Sequence, residues 1–225
     1  MALGAECTML PYDFTDNSGI GVLVDQAWDI YGGIDTVFLN AGISQRTRVE
    51  DTSVEMIRQL MEVNYFAPVA IAKALLDRLR LLDRSTLRPP SAVRLHIAVT
   101  TSIAGLFGFP LRCGYSSSKH ALYGFFETLQ AENYDNGLRV TIVCPGRVNT
   151  PISLRALDKD GQPHGKMDPG QAGGLAADKA AKQIVRAIER GKREVYIGKG
   201  ELVMVYIKRF FPGLCAWIGR HISAV

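Results

Sequence analysis

Short apolar runs alternate with longer stretches of helical period along almost the whole chain, and this alternation restricts the fold more than any other feature of the sequence. Strands separated by helices must cross over between parallel neighbours, which gives a parallel sheet covered on both faces. Strands are expected near Cys7 to Tyr12, Thr36 to Asn40, Val93 to Thr100, Arg139 to Val143 and Glu194 to Ile197. Helices fill the intervals. One runs from about Ser18 to Tyr31 and stops at Gly32-Gly33. A longer one opens at Thr52, where Thr-x-x-Glu55 has the form of a capping box, and carries apolar residues through Leu76. A third spans Cys113 to Asp135. The last, Ala177 to Arg190, sets Ala177, Ala180, Ala181, Ile184, Val185 and Ile188 on one face and ends at Gly191. With 225 residues, 47% hydrophobic and 21% charged, the chain can bury one substantial core, so residues 1–225 are expected to form a single domain.

Chemistry concentrates on the third helix. Tyr115-Ser-Ser-Ser-Lys119 places a phenol and an ammonium one turn apart on the same face. Bringing a tyrosine from a pKa near 10 to about 7 takes roughly 4 kcal/mol of preference for the phenolate. A lysine about 4 Å away supplies about that much at an effective dielectric of 20. Tyr-x-x-x-Lys also recurs by chance on amphipathic helices, and its flank decides the reading. Val99-Thr-Thr-Ser102-Ile-Ala-Gly105 is a buried strand running into a glycine-containing loop ahead of that helix, and it brings a hydroxyl able to stabilise charge on a reacting oxygen.

This strand, loop and helix resemble those of the short-chain dehydrogenase/reductases, and the resemblance extends from Pro11 to Gly200. It implies an α/β fold, a Rossmann-like doubly wound parallel sheet, with Ser102, Tyr115 and Lys119 as catalytic residues. Asn64, in Glu62-Val-Asn64-Tyr, matches the family's fourth catalytic position. By resemblance it kinks its helix and holds a water that relays protons toward Lys119. Asn40-Ala41-Gly42 looks like the family's turn beside the adenine ribose, with Leu39 in place of a first asparagine. Pro145, Gly146, Val148 and Thr150 are similar to the segment that holds the nicotinamide carboxamide, and Asp13 to the aspartate that meets the adenine amino group. For Asp13 a turn or helix cap is an equally good reading. The implied cofactor is NAD or NADP, with the choice undetermined, and the implied partner a small-molecule carbonyl or alcohol. A homodimer or homotetramer through the helices carrying Asn64 and Tyr115 is implied as well.

The family's glycine-rich strand, turn and helix, which cradles the cofactor's phosphates, has no counterpart before Asn40. Ser18-Gly19-Ile20-Gly21 lacks a third glycine at the required spacing and stands beside Asp16. The sheet is therefore expected to be incomplete at its N-terminus, without the first two strands and helices, and cofactor binding to be weakened. A second reading follows, in which the chain is a truncated, non-catalytic remnant acting as an interaction or dimerisation module.

Other classes are disfavoured. A net charge of +4 without a basic stripe gives no sign of nucleic-acid binding. Cys7, Cys113, Cys144 and Cys215 lack metal-ligand spacing and read as reduced thiols, so no metal is expected. With no apolar leader or spanning run, a cytoplasmic location is expected, although some relatives carry an N-terminal anchor and membrane association of a longer product stays open. Asp83 to Ala92 reads as a polar connection. Residues 150–174 read as a mobile substrate flap in which His164 has no assigned role. Residues 201–225 form a C-terminal extension whose apolar and basic residues could lie on a membrane surface, although packing against the domain itself or a second subunit is the favoured reading.

Overall fold

The computed structural model describes residues 4–81 and 93–221, so the expected connection from Asp83 to Ala92 lies outside the described residues. In chain order the first elements are α1 (Ile20–Ile30), β1 (Thr36–Leu39), α2 (Val54–Met61), α3 (Ala67–Leu81), β2 (Leu95–Thr100), α4 (Cys113–Asn133) and β3 (Leu138–Pro145). They are followed by β4 (Val148–Asn149), α5 (Pro169–Ala172), β5 (Leu175–Ala176), α6 (Ala177–Glu189), β6 (Glu194–Ile197), α7 (Val203–Phe210) and α8 (Pro212–His221). The main sheet has the order β1-β2-β3-β6 and all its pairs are parallel. Val37 faces Ile97, Ile97 faces Val140, and Val143 faces Val195. A second, two-stranded parallel ladder joins β4 to β5.

Because successive strand residues point to opposite faces, each strand feeds two layers. On one face Leu95, Ile97, Leu138 and Val140 meet Leu75 of α3 and Leu122 and Phe126 of α4. Val37 and Leu39 of β1 pack against the same cluster, whereas Phe38 points the other way and is exposed. On the second face α6 packs through Ala180 and Ile184 against Val143, Leu175 and Ile197.

A wide π-turn at Glu62–Phe66 joins α2 to α3. Leu60, Asn64, Pro68 and Ala72 are all buried, yet they follow one another at intervals of four. On a regular helix such a series drifts by about 40° per step, because four residues turn the chain through about 400°. The π-turn absorbs the drift. It falls at Asn64, where the resemblance implies a kink.

Two expectations are corrected. Cys7 to Tyr12 is not a strand: the segment is largely exposed and bonds to no ladder, since β1 pairs only with β2 in the described sheet. Tyr12 is instead held by α1, its hydroxyl donating to the Asp16 carbonyl at 2.8 Å and accepting from the Gly19 N–H at 3.0 Å. The cap of α2 is Ser53 rather than Thr52: Ser53 Oγ accepts from the Met56 N–H at 3.1 Å, while Thr52 Oγ1 donates back to the Arg48 carbonyl. The apolar stripe of α6, expected on one face, is only partly covered. Ala180 is buried but Val185 is 52% exposed, and the stripe lines an open cavity. Gly191 does end α6, with φ +58 and its N–H on the Ile188 carbonyl.

Phe126 is fully buried at the centre of the main core. Phe126→Ala should cost about 3–5 kcal/mol, read as a shift of the urea unfolding midpoint.

Candidate active site

The start of α4 is positioned by residues far away in sequence. Leu111, which precedes the helix, has φ +62, an uncommon conformation for a side chain of its size. Gln45, fully buried, accepts from the Tyr115 N–H through Oε1 at 3.0 Å and so satisfies a first-turn amide that has no partner in the helix. Its Nε2 donates to Thr52 Oγ1. Lys119 follows one turn on, 3% exposed, with Nζ donating to the Thr100 carbonyl at 2.8 Å and lying 5.9 Å from the centre of the Tyr115 ring. Ser102 leaves β2 in extended conformation, accepts from the Ala104 N–H at 3.1 Å and donates to the Pro145 carbonyl at 3.4 Å, on the wall of the cavity that Tyr115 also lines. Gly105 lets this loop approach α4: a Cβ there would come within 2.8 Å of the Lys119 carbonyl oxygen.

Asn64 is the tie between these parts. Its Oδ1 accepts from the Ile43 N–H at 2.8 Å, and its Nδ2 donates to the Ile43 carbonyl at 2.9 Å and to Ser118 Oγ at 3.0 Å. Ser118 in turn donates to the Tyr115 carbonyl. The amide therefore links the loop after β1, the π-turn and α4.

The structure brings Asn40, Gly42, Ser102, Tyr115, Lys119, Pro145, Gly146, Val148 and Thr150 to the wall of one cavity of about 1090 Å³. Ala41 and Asp13 are not on that wall. Asp13 is exposed, and its Oδ1 accepts from the Thr15 N–H and hydroxyl, which is the turn-capping role.

Sequence reading missed an ionic cluster beside the phenol. Asp168 accepts from Arg46 Nη2 at 2.6 Å and from Arg112 Nη2 at 2.9 Å, and all three side chains are at most 12% exposed. The cluster pins residues 150–174, as do the Arg46 N–H on the Leu157 carbonyl and the Leu157 N–H on the Ser44 carbonyl. Ser153 and Ala156 are fully buried. The expected mobile flap is thus anchored to the domain, while Thr150, Ile152 and Arg155 still wall the cavity. His164 contributes a backbone N–H to the Ala156 carbonyl.

The balance of forces on Tyr115 differs from expectation. Burial pushes its pKa up, and the opposing influences are the Ser102 hydroxyl and the charges of Arg112 and Arg46. Lys119 is itself lowered to about 8 by burial. Asp168 is also disfavoured as an anion by burial, but Arg46 and Arg112 outweigh this and hold its pKa below the ordinary value. Burial pushes the Cys144 thiol up to about 12. Among the described residues no cluster of His, Cys, Asp and Glu could hold a metal ion.

A parallel sheet between helices, with Ser102, Tyr115 and Lys119 converging on one cavity, defines a Rossmann-like dehydrogenase scaffold. The family model of the short chain dehydrogenases matches residues 1–160, and the chain belongs to the short-chain dehydrogenase/reductase family. It is 35% identical to dehydrogenase/reductase SDR family member 7B of Mus musculus over 210 residues, 92% of this chain and 61% of that protein. It is 34% identical to the SDR family protein 7-like of Drosophila melanogaster, covering 94% of this chain and 62% of that one. The chain thus spans about three-fifths of the length of these curated relatives. In structure it is similar to a short chain dehydrogenase/reductase from Burkholderia phymatum in complex with NAD, with a TM-score of 0.76 and 21% identity over 95% of this chain and 78% of that one. A short chain dehydrogenase from Burkholderia cenocepacia in complex with NADP gives 0.72 and 23% over 93% and 77%.

Asp168→Asn should leave two buried guanidinium groups without their counter-ion and cost about 3–5 kcal/mol. Because the folded-state pKa of Asp168 is depressed, its contribution is present above the ordinary carboxylate pKa and is lost as pH falls through the folded value. Acid unfolding curves should therefore be shallower for the variant, and trypsin should cut sooner after Arg155, Lys159 and Lys166. The Lys119 pKa is lowered as well, so its slope has the same sign and falls in an alkaline window. Between about 8 and its ordinary 10.5 the unfolded chain binds a proton that the folded chain does not, so stability rises with pH across that window. The rise should be up to about 3 kcal/mol. Urea unfolding on either side of the window should show this rise in the native chain and not in Lys119→Met.

Proposed function

We propose that the chain carries the catalytic residues of an NAD(P)-dependent oxidoreductase that interconverts a carbonyl and a secondary alcohol. The observation that carries this reading is the convergence of the Tyr115 and Ser102 hydroxyls, with the Lys119 ammonium beside the same ring, on one cavity. The cavity suits the nicotinamide riboside end of the cofactor. Gly42 keeps the floor open, since a Cβ there would lie 3.1 Å from Asn64 Oδ1 and 3.5 Å from Lys119 Nζ, which leaves the ammonium accessible to ribose hydroxyls. Pro145, Gly146, Val148 and Thr150 supply the wall for the carboxamide. For phosphates this chain offers no Gly-x-x-x-Gly-x-Gly turn.

When bound, NAD(P)H supplies the hydride. Tyr115 Oη hands its proton to the carbonyl oxygen as that oxygen becomes an alcohol, and takes a proton back in the oxidative direction. Ser102 Oγ donates a hydrogen bond to the same oxygen and stabilises its developing charge. Arg46 and Arg112 add positive potential at the phenol and oppose the effect of burial. Lys119, whose pKa near 8 leaves it mostly charged at neutral pH, orients the ribose and passes protons onward. Asn64 holds the relay water. In support, Pro68, four residues on, lacks the N–H that ordinarily occupies the Asn64 carbonyl in a helix.

Calorimetric titration with NADH and NADPH should give saturable binding. Loss of NAD(P)H absorbance driven by a panel of aldehydes and ketones should fall at least about 10²-fold in Tyr115→Phe with the fold retained. A rate unchanged by that substitution would remove Tyr115 as the acid and base.

A further inference from the structure

The two C-terminal helices divide their apolar residues between two faces. Leu202, Met204, Val205 and Ile207 turn inward onto Ile103, Phe107, Cys144 and the buried Cys215, so the tail packs on its own domain through this face. That packing leaves a second set uncovered. Val203, Tyr206 and Phe210 recur at helical spacing along α7 and are 55%, 58% and 69% exposed. Phe211, Leu214 and Trp217 continue along α8 at 63%, 46% and 53%. In sequence the two stripes meet at Phe210 and Phe211. Six large apolar side chains in fifteen residues, rimmed by charge, mark a surface that takes a partner.

We propose that this partner is an anionic lipid surface, on which α7 and α8 lie as a peripheral anchor. Charge selects the occupant. Residues 202–221 contain no aspartate or glutamate, while Lys208, Arg209 and Arg220 are exposed and, among the described residues, form no ion pair. A second copy docked by two-fold symmetry would bring the same cations against these, with no acid in the patch to compensate. Anionic headgroups match the rim, and each cation near such a surface favours binding. The stripes suit the acyl boundary. Tyr206 and Trp217 carry the amphipathic rings that settle at headgroup level. The helices lie on the membrane and do not cross it: α7 has 8 residues and α8 has 10, and no described helix is long and apolar enough to span. The opposite, inner face of the tail shares a cluster with Ile103 and Phe109, both of which also line the catalytic cavity, so the helices that carry the exposed stripes also brace the wall of the site.

Flotation of the full chain with phosphatidylcholine vesicles, with and without about a third phosphatidylserine, tests this without reference to catalysis. The protein should float with the anionic vesicles and be released by high salt. In a Trp28→Phe background, Trp217 emission should shift to the blue and be quenched by brominated lipid. Phe210→Ser with Trp217→Ser should lower the partition constant at least about tenfold through lost apolar burial. Lys208→Glu with Arg209→Glu should lower it by at least about tenfold through charge alone, which keeps the test informative if the first variant folds poorly. Equal recovery with neutral and anionic vesicles, or none with either, overturns the proposal. So does a concentration-dependent oligomer that these variants dissociate while vesicles recover none of the native chain. Failure to bind NAD(P)H leaves the proposal standing, because the readout uses no cofactor.

Discussion

One carboxamide holds the working parts of this molecule in register. Asn64 is almost wholly buried and uses its oxygen and both amide hydrogens, grasping both backbone groups of Ile43 on one side and Ser118 on the other. Each such buried group left unsatisfied costs about 1–3 kcal/mol, so the amide is fixed by what it would lose. Ser118 is neighbour to Lys119 and bonds the Tyr115 carbonyl, while Ile43 follows the Gly42 floor of the cavity. The distance between phenol, ammonium and cavity floor therefore descends from a residue that sits beneath the site.

Much of the architecture was legible because it is written in local periodicity. The strands at Thr36, Val93, Leu138 and Glu194 and the helix carrying Tyr115 and Lys119 lie within a residue or two of their expected places. Ser102 joined them because a buried strand ending in a glycine loop has few places to go. Cys7 to Tyr12 reads as a strand by composition alone, but a strand requires a ladder, and its hydrogen-bonding edge cannot be inferred from its own residues. The shift of the cap from Thr52 to Ser53 is of the same kind, one residue of backbone conformation that two hydroxyls could equally have met. α6 has a clear apolar stripe, yet periodicity says only which face is apolar and not whether anything covers it.

Long-range electrostatics was invisible for a different reason. Arg46 and Asp168 are 122 positions apart and Arg112 and Asp168 are 56 apart, and no motif connects them. The expectation that a single lysine governs the tyrosine came from helical proximity. Folded, the phenol is lifted by burial and eased by a serine and two arginines that belong to other elements. The anchored segment 150–174 has the same origin: its glycines suggest mobility, but a buried carboxylate between two guanidinium groups restrains it.

The π-turn also decides where this helical rod can tolerate a change of length. Deleting a residue from a regular stretch of α2 or α3 would spin everything downstream by about 100° and carry one buried stripe into water. Deleting one between positions 62 and 66 would let the rod wind evenly, with the stripes on either side still aligned and only the amide forfeited. The spare residue is thus a local insertion whose removal the fold could survive and the site could not.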